Sequence, residues 1–556
     1  MAQATEDPIV RRRWRTVLAA SAAGWRVVRR RGPAPIAFWF VALLVGIASG
    51  FAAIGFRAGI DALQGLLYGT DDPAALRTFA EGLPWWWIVV LPALGGIVVG
   101  LILHRFTPDG RVRSVAEVIE GSAMADGRVE GRAGLASAAA SLITLSSGGS
   151  TGREGPVVHL AAVIASWVSD RIRADGITGR DLLGCAVAAA VSASFNAPIA
   201  GALFALEVVL RHFAVHAFAP IVIASAAGAV INHSTYGNVT EFVPQQTALA
   251  FYVELPAFLM LGLLCGAVAT VLMRSIFWAD DVGTELQRLT RMPRWLRPGA
   301  AGLLVGGIAV FFPHVIGVGY ETTSDALTGE LLLHEAVVFA VLKVAAVAIT
   351  MGGRMGGGVF SPSLMVGALT GLAFGIVATG VFPEVSGLPS LYALAGMGAV
   401  AAAVLGAPIS TTLIVFELTG DWQTGLAVMV SVSLSTALAS RLVHRSFFLT
   451  QLERRGVHLA AGPQTYLLAK LRVGRIMRGV NHPDAAPREA CERLVAEGLV
   501  VRRGDPLGRA MPMFDQAGAF LPVVDREGTL RGSLFRIDAL VTYNRALAAT
   551  AAEEHS

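Results

Sequence analysis

The chain has 556 residues, 54% of them hydrophobic and 15% charged, with a formal net charge of +4. Soluble domains carry about a quarter charged residues, so this composition excludes an ordinary water-soluble globule and points to a lipid-facing protein. The small positive excess fits the orientation signal of a membrane protein and argues against nucleic acid as a partner.

The N-terminal segment, 1–35, carries Arg11, Arg12, Arg13, Arg15, Arg26, Arg29, Arg30 and Arg31. No apolar core stands between these arginines, so no signal peptide is expected. The segment reads as a basic amphipathic stretch on the cytoplasmic side. Beyond it, residues 36–57, 86–103, 250–273 and 331–351 reach the roughly 20 apolar residues that a bilayer span requires. A last long run covers 424–443. Between these lie shorter pieces broken by Gly and Pro: 131–147, 154–169, 182–193, 196–210, 216–231, 298–311, 361–380, 389–405 and 408–419. Such a pattern predicts an all-α integral membrane fold of uneven helices, several of them ending inside the membrane.

Gly is abundant at 62 residues, and small residues let membrane helices pack closely. Cys185, Cys265 and Cys491 lie far apart and make neither a metal spacing nor a disulfide framework, so they are expected to be core residues. Residues 104–113, 171–180 and 274–297 are Arg-rich, whereas 232–253 and 312–334 contain no Lys or Arg. By the positive-inside rule the Arg-rich loops, and with them both termini, are cytoplasmic.

The membrane part, 36–455, repeats itself. Ala197-Pro198-Ile199 opens an apolar helix that reaches Glu207, and Ala407-Pro408-Ile409 opens another that reaches Glu417 at the same spacing. Upstream of these, GGSTGREGP at 148–156 corresponds to GGRMGGGVFSP at 352–362. The two repeats run over about 36–232 and 250–445. Helices interrupted at matching positions of two halves point to a transport site, and inverted topology is the usual arrangement.

At each break, Gly frees the backbone to turn and Pro occupies the first turn of the next helix. The first N–H groups of that helix lack internal partners and sit at the positive end of its dipole. This makes an anion site without a full positive charge, which binds an ion and still releases it. Glu154 lies in the first break. A carboxylate at membrane depth is costly, so its presence marks function. At a helix start it can occupy the anion site itself, as a tethered competitor. His159, about one turn further on, is expected to be a satisfied interhelical histidine. Glu207 and Glu417 are expected to be structural or interface carboxylates.

GREGP at 152–156, FNAPIAG at 195–201, GVFSP at 358–362 and SFFLTQLERRG at 446–456 resemble, in order, the motifs of the CLC chloride channel and transporter family. The resemblance implies chloride or another small anion as substrate, an inner-membrane homodimer with one pore per subunit, and Glu154 as the gate. It implies anion contacts from the backbone of Val359 and Phe360, with Arg153, Gly155 and Ser361 lining the outer site.

Three departures bear on mechanism. Counted without gaps from Pro108 to Glu117, the family's GSGIP falls on Val112-Arg113-Ser114-Val115-Ala116, so Arg113 replaces the serine that contacts the central anion. Arg113 then either faces the cytoplasmic vestibule or pairs with a carboxylate and changes the inner gate. The family's central tyrosine aligns with Phe448, which has no hydroxyl. Proton-coupled members carry a glutamate where this chain has Val208. That apolar residue favours passive conduction, with a proton-coupled antiporter as the alternative. Phe360 argues against the fluoride-specific branch.

Residues 456–556 are expected to form a small cytoplasmic α/β module. VGRIM at 473–477 and FLPVVDREGTLRG at 520–532 resemble a CBS domain, with a strand, a turn at Asp525–Gly528, a second strand and a helix. Such domains pair in tandem and bind adenine nucleotides; about 85 residues fit one motif and a degenerate stretch, so a packing or dimer-contact role stands beside nucleotide binding. The spans carry no HExxH, GxSxG or paired-Asp motif. No enzymatic activity and no resident cofactor are expected.

Overall fold

A computed structural model describes residues 34–70, 72, 75–213, 215–237, 253–457, 459, 468, 471–525 and 527–554. The arginine-rich N-terminal stretch through residue 33 lies outside the described residues. Seven described helices are long and apolar enough to cross a bilayer.

The helices follow the repeat read from sequence. In the first half come Ala34–Tyr68, Trp85–Phe106, Val115–Met124, Gly131–Ser146, Glu154–Ile172, Gly176–Phe195, Pro198–Phe204 with a π turn over Ala205–Leu210, and Val215–Tyr236. Their counterparts in order are Leu255–Thr290, Arg297–Phe311, Tyr320–Thr328, Leu333–Gly352, Phe360–Val381, Pro389–Leu405, Pro408–Thr419 and Trp422–Leu442. Leu255–Thr290 runs well beyond the predicted span into the stretch expected to be an Arg-rich loop. Its polar end is anchored by Asp280, which accepts hydrogen bonds from Arg297 and Arg111 at 2.9 Å.

The two short proline-started helices bind each other at both ends. Glu207 accepts from the N–H groups of Ile409 and Ser410 at 2.9 and 2.8 Å and from Ser410 Oγ at 2.7 Å. Glu417 accepts from Ile199 and Ala200 N–H at 2.9 and 2.8 Å. Each helix ends at the other's start, so the pair runs antiparallel, as a two-fold relation between the repeats requires. A carboxylate here satisfies amides that no helical carbonyl reaches. Glu207→Ala is expected to cost about 2 kcal/mol, seen as a lower thermal midpoint of the purified protein in detergent.

The breaks are held by backbone. Gly152 and Gly358 pair as an antiparallel bridge, with N–H···O distances of 2.8 and 2.7 Å in the two directions. Thr151 Oγ1 adds a bond to Gly358 O at 2.9 Å. The three cysteines are free and buried, as core residues are.

The C-terminal region has its own core around Val473, Val501, Phe514, Leu521 and Leu534. Its four-stranded mixed sheet orders Arg478–Gly479, Leu530–Phe535, Phe520–Val524 and Val501–Arg502. The turn at 525–528 forms because Asp525 Oδ1 accepts from Glu527 N–H and Thr529 N–H at 3.0 and 2.9 Å, with Gly528 at φ +82°.

Candidate functional site

Glu154 is the first residue of one helix and Phe360 the first of another. The Gly152–Gly358 bridge brings these two starts together. Glu154 is buried, with 3% of its surface exposed. Its carboxylate accepts from Ser361 Oγ at 2.5 Å and from Ser361 N–H at 3.4 Å. It therefore sits on the amide end of the partner helix. Val359 and Phe360 lie at the same start, where amides have no intrahelical acceptor. The Phe360 ring packs on Phe195 and Phe204, with centroids 4.8 and 6.0 Å away, which fixes the direction of that helix end.

Glycine is required where the breaks cross. A Cβ on Gly155 would lie 2.5 Å from Ser114 Oγ and 3.1 Å from Gly358 Cα. A Cβ on Gly358 would meet Gly155 N at 2.9 Å.

Two cavities approach this crossing. The outer one is lined by Arg153 and Tyr320, with Arg57, Arg77, Asp61 and Glu321 around its mouth. Arg153 is buried; its guanidinium lies 5.1 Å from the Tyr320 ring centroid, donates to Ser194 O at 3.4 Å and stands 3.9 Å from Glu154 Oε1. These contacts anchor the side chain at the cavity wall. The inner cavity ends on Gly358 and Val359 and is lined by Ser114 and Phe448. Arg111, Arg354, Arg454 and Arg455 line it as well. Part of this charge is compensated: Arg111 and Arg354 bond Asp280 at 2.9 and 3.3 Å, Arg454 bonds Asp281 and Arg455 bonds Glu117. Glu154 and Ser361 stand between the two cavities and line neither.

Arg113 and Ser114 face different ways. Ser114, not Arg113, stands beside Gly155 at the inner cavity. The physical reason is the helix start: Ser114 precedes Val115–Met124, and its N–H donates to Glu117 Oε2 at 2.6 Å, which fixes the residue at the end of that helix. Arg113 turns aside to Asp109 at 2.8 Å and Glu130 at 3.6 Å, and its N–H donates to Ser137 Oγ at 2.8 Å. Of the two roles open to Arg113, the structure shows the carboxylate pair. Burial pushes the Asp109 carboxyl up, but the hydrogen bond and charge of Arg113 outweigh it and hold Asp109 below its ordinary range. Arg113→Ser is therefore expected to leave anion selectivity unchanged, whereas Ser114→Ala weakens chloride binding by about 1 kcal/mol. Isothermal titration with chloride on the purified variants checks both.

Phe448 is buried, lines the inner cavity and brings no hydroxyl. Val208 is buried inside the π turn. His159 departs from expectation: it is 1% exposed, and neither ring nitrogen has a hydrogen-bond partner among the described residues. The close neighbour at its ring edge is Gly134, which brings no polar side chain. Sequence reading also missed the convergence of Arg111, Arg354, Arg454 and Arg455. The available signal was their placement next to motifs, Arg354 inside GGRMGGG and Arg454-Arg455 closing SFFLTQLERRG.

Two broken helices meeting at a buried carboxylate between two arginine-lined cavities define a membrane protein that carries small anions. The profile described as voltage gated chloride channel matches residues 95–440, and the chain belongs to that family, the CLC family of chloride channels and transporters, whose members are not enzymes. A ClcB-like chloride channel protein of Ralstonia nicotianae is 32% identical over 395 residues, covering 70% of this chain and 91% of the relative. The voltage-gated ClC-type chloride channel ClcB of Escherichia coli is 31% identical over 419 residues, covering 73% and 96%. Among solved structures, a slow cyanobacterial Cl⁻/H⁺ antiporter superposes with TM-score 0.65 at 21% identity, covering 75% of this chain and 97% of that one. A eukaryotic CLC transporter also gives 0.65, at 19% identity, covering 90% and 97%. The protein is thus a multi-pass membrane protein that transports chloride.

Proposed function

We propose that chloride crosses each subunit passively, along a path from the outer cavity past Arg153, Glu154 and Ser361 to Ser114 at the inner cavity, with Glu154 as the gate. The observation that carries this reading is the seat of the Glu154 carboxylate on Ser361, at the amide end of the Phe360–Val381 helix. There it competes with chloride for the same donors. When chloride displaces the side chain, or a proton neutralises it, Ser361 and the amides of Val359 and Phe360 become available to the ion. Ser114 contributes a hydroxyl from the inner side, and Gly155 leaves room for it.

Passive conduction rests on Val208. An apolar side chain carries no proton, so the inner station used by proton-coupled members is missing. The names of the two bacterial relatives, which say channel, agree with this reading. One observation favours coupling instead: the buried, unpartnered imidazole of His159 lies five residues along the helix from Glu154. Reconstituted protein with chloride and proton movements recorded together separates the two. Passive transport gives chloride efflux with no uphill proton movement, while protons driven uphill by a chloride gradient, in fixed ratio to chloride, would overturn it.

The arginine-rich loops support a topology with both termini in the cytoplasm. A homodimer follows from the family resemblance. Exposed apolar side chains at Ile199, Phe218, Ile409, Trp422 and Met429 give the paired short helices and their neighbours a surface for it. The tail's strand–turn–strand–helix supports a CBS-like module that packs against the membrane domain or a partner, with adenine nucleotide as its candidate ligand.

A further inference from the structure

A third cavity, of about 600 Å³, lies away from the anion path. It is far larger than a chloride ion needs. It opens where the Pro198–Leu210 segment and the last long helix end, bounded by Arg211 on one side and by Thr436, His444 and Arg445 on the other.

Arg211 is half-buried and makes no ion pair among the described residues. The charged group that acts on it is Arg445, of like sign. Arg445 is itself held in place by Glu453 at 2.6 Å and by Leu459 O at 2.7 Å. Glu207 also borders the cavity, but its carboxylate is committed to the amides of Ile409 and Ser410. Partly burying a guanidinium without a carboxylate is costly, so the arrangement calls for an anion from outside the chain.

The rest of the wall is apolar. Met273, Val443 and Leu449 line it, and Phe213, 57% exposed, stands at the rim. A ligand that suits both parts has a phosphate ester for Arg211 and a hydrocarbon chain for the apolar rim. Arginine recognises phosphate through paired, charge-assisted hydrogen bonds. Basic pockets between membrane helices take the headgroups of acidic lipids.

We propose that this cavity binds the phosphodiester headgroup of an acidic phospholipid, with Arg211 as its principal charge partner. Arg211 does not lie on the path assigned to chloride, so the proposal stands whether conduction is passive or proton-coupled.

The test uses the full chain in phosphatidylcholine nanodiscs doped with phosphatidylglycerol, with bound lipid measured by native mass spectrometry after release. Glycerol 1-phosphate serves as the soluble probe of the same chemistry. The expected result is selective retention of phosphatidylglycerol, weakened about tenfold in Arg211→Gln, with glycerol 1-phosphate failing to compete. Equal retention of phosphatidylcholine, or unchanged retention in Arg211→Gln, would overturn the proposal. Competition by glycerol 1-phosphate at comparable concentration would overturn the lipid assignment in favour of a soluble phosphoester. The preference of the unaltered chain for phosphatidylglycerol over phosphatidylcholine keeps the question decidable if Arg211→Gln does not assemble.

Discussion

Glu154→Ala is expected to leave chloride flux intact or higher while removing its dependence on pH. The carboxylate lies within hydrogen-bond reach of Ser361 Oγ and N–H, so under the proposed gate it takes the donors that chloride would use. A tethered group competes at an effective concentration of about millimolar or more. Its removal should therefore raise apparent chloride affinity, by about tenfold on the scale of one charge-assisted hydrogen-bond site. Glu154→Gln keeps the shape and removes the charge, and should likewise abolish the response to acid. Liposome efflux recorded over a series of pH values checks both variants. Flux abolished by Glu154→Ala would mean that the carboxylate is part of the conducting path and not its obstruction.

Replacing Gly358 should have the opposite effect. A side chain here would place its Cβ 2.9 Å from Gly155 N and 3.3 Å from Gly152 O. Those are backbone atoms, and the paired hydrogen bonds of the bridge tie Gly152 to Gly358, so no flexible side chain can yield. Gly358→Val must push the two helix starts apart and spoil the convergence of Glu154 and Ser361. Flux is expected to fall by about tenfold or more, since a displacement of about 1 Å at a positioned site costs on that order. Gly307→Ala and Gly380→Ala, where a Cβ meets nothing within 4 Å, are the controls that should conduct normally. Wild-type flux from Gly358→Val would show that the close crossing is not needed for conduction.

These predictions draw on two kinds of knowledge. The helix starts at Glu154 and Phe360 were legible because Gly and Pro act on their own backbone. The pairing of Ala197-Pro198 with Ala407-Pro408 was legible as a repeated pattern, and it foretold a structural role for Glu207 and Glu417. It did not foretell that each carboxylate would cap the other's helix, which joins residues 202 and 218 positions apart. Arg113 shows the limit from the other side. Counting without gaps put Arg113 at the serine position and left open whether it faces the vestibule or a carboxylate, yet the S-x-x-E pattern of Ser114-Val115-Ala116-Glu117 marks a helix start that local chemistry alone could have flagged.

The vestibule arginines belong to the second kind. Arg111, Arg354 and Arg454 come from three distant segments and converge only after the repeats pack. His159 was expected to find a partner, and whether it does depends on Gly134, a residue on another helix. The sequence by itself determined the membrane class, the two breaks and the buried carboxylate between them, because composition and backbone sterics act locally. The tertiary structure alone decided which side chains face the ion, which are diverted to carboxylates and which stay unpaired, because those choices depend on through-space neighbours that chain order does not specify.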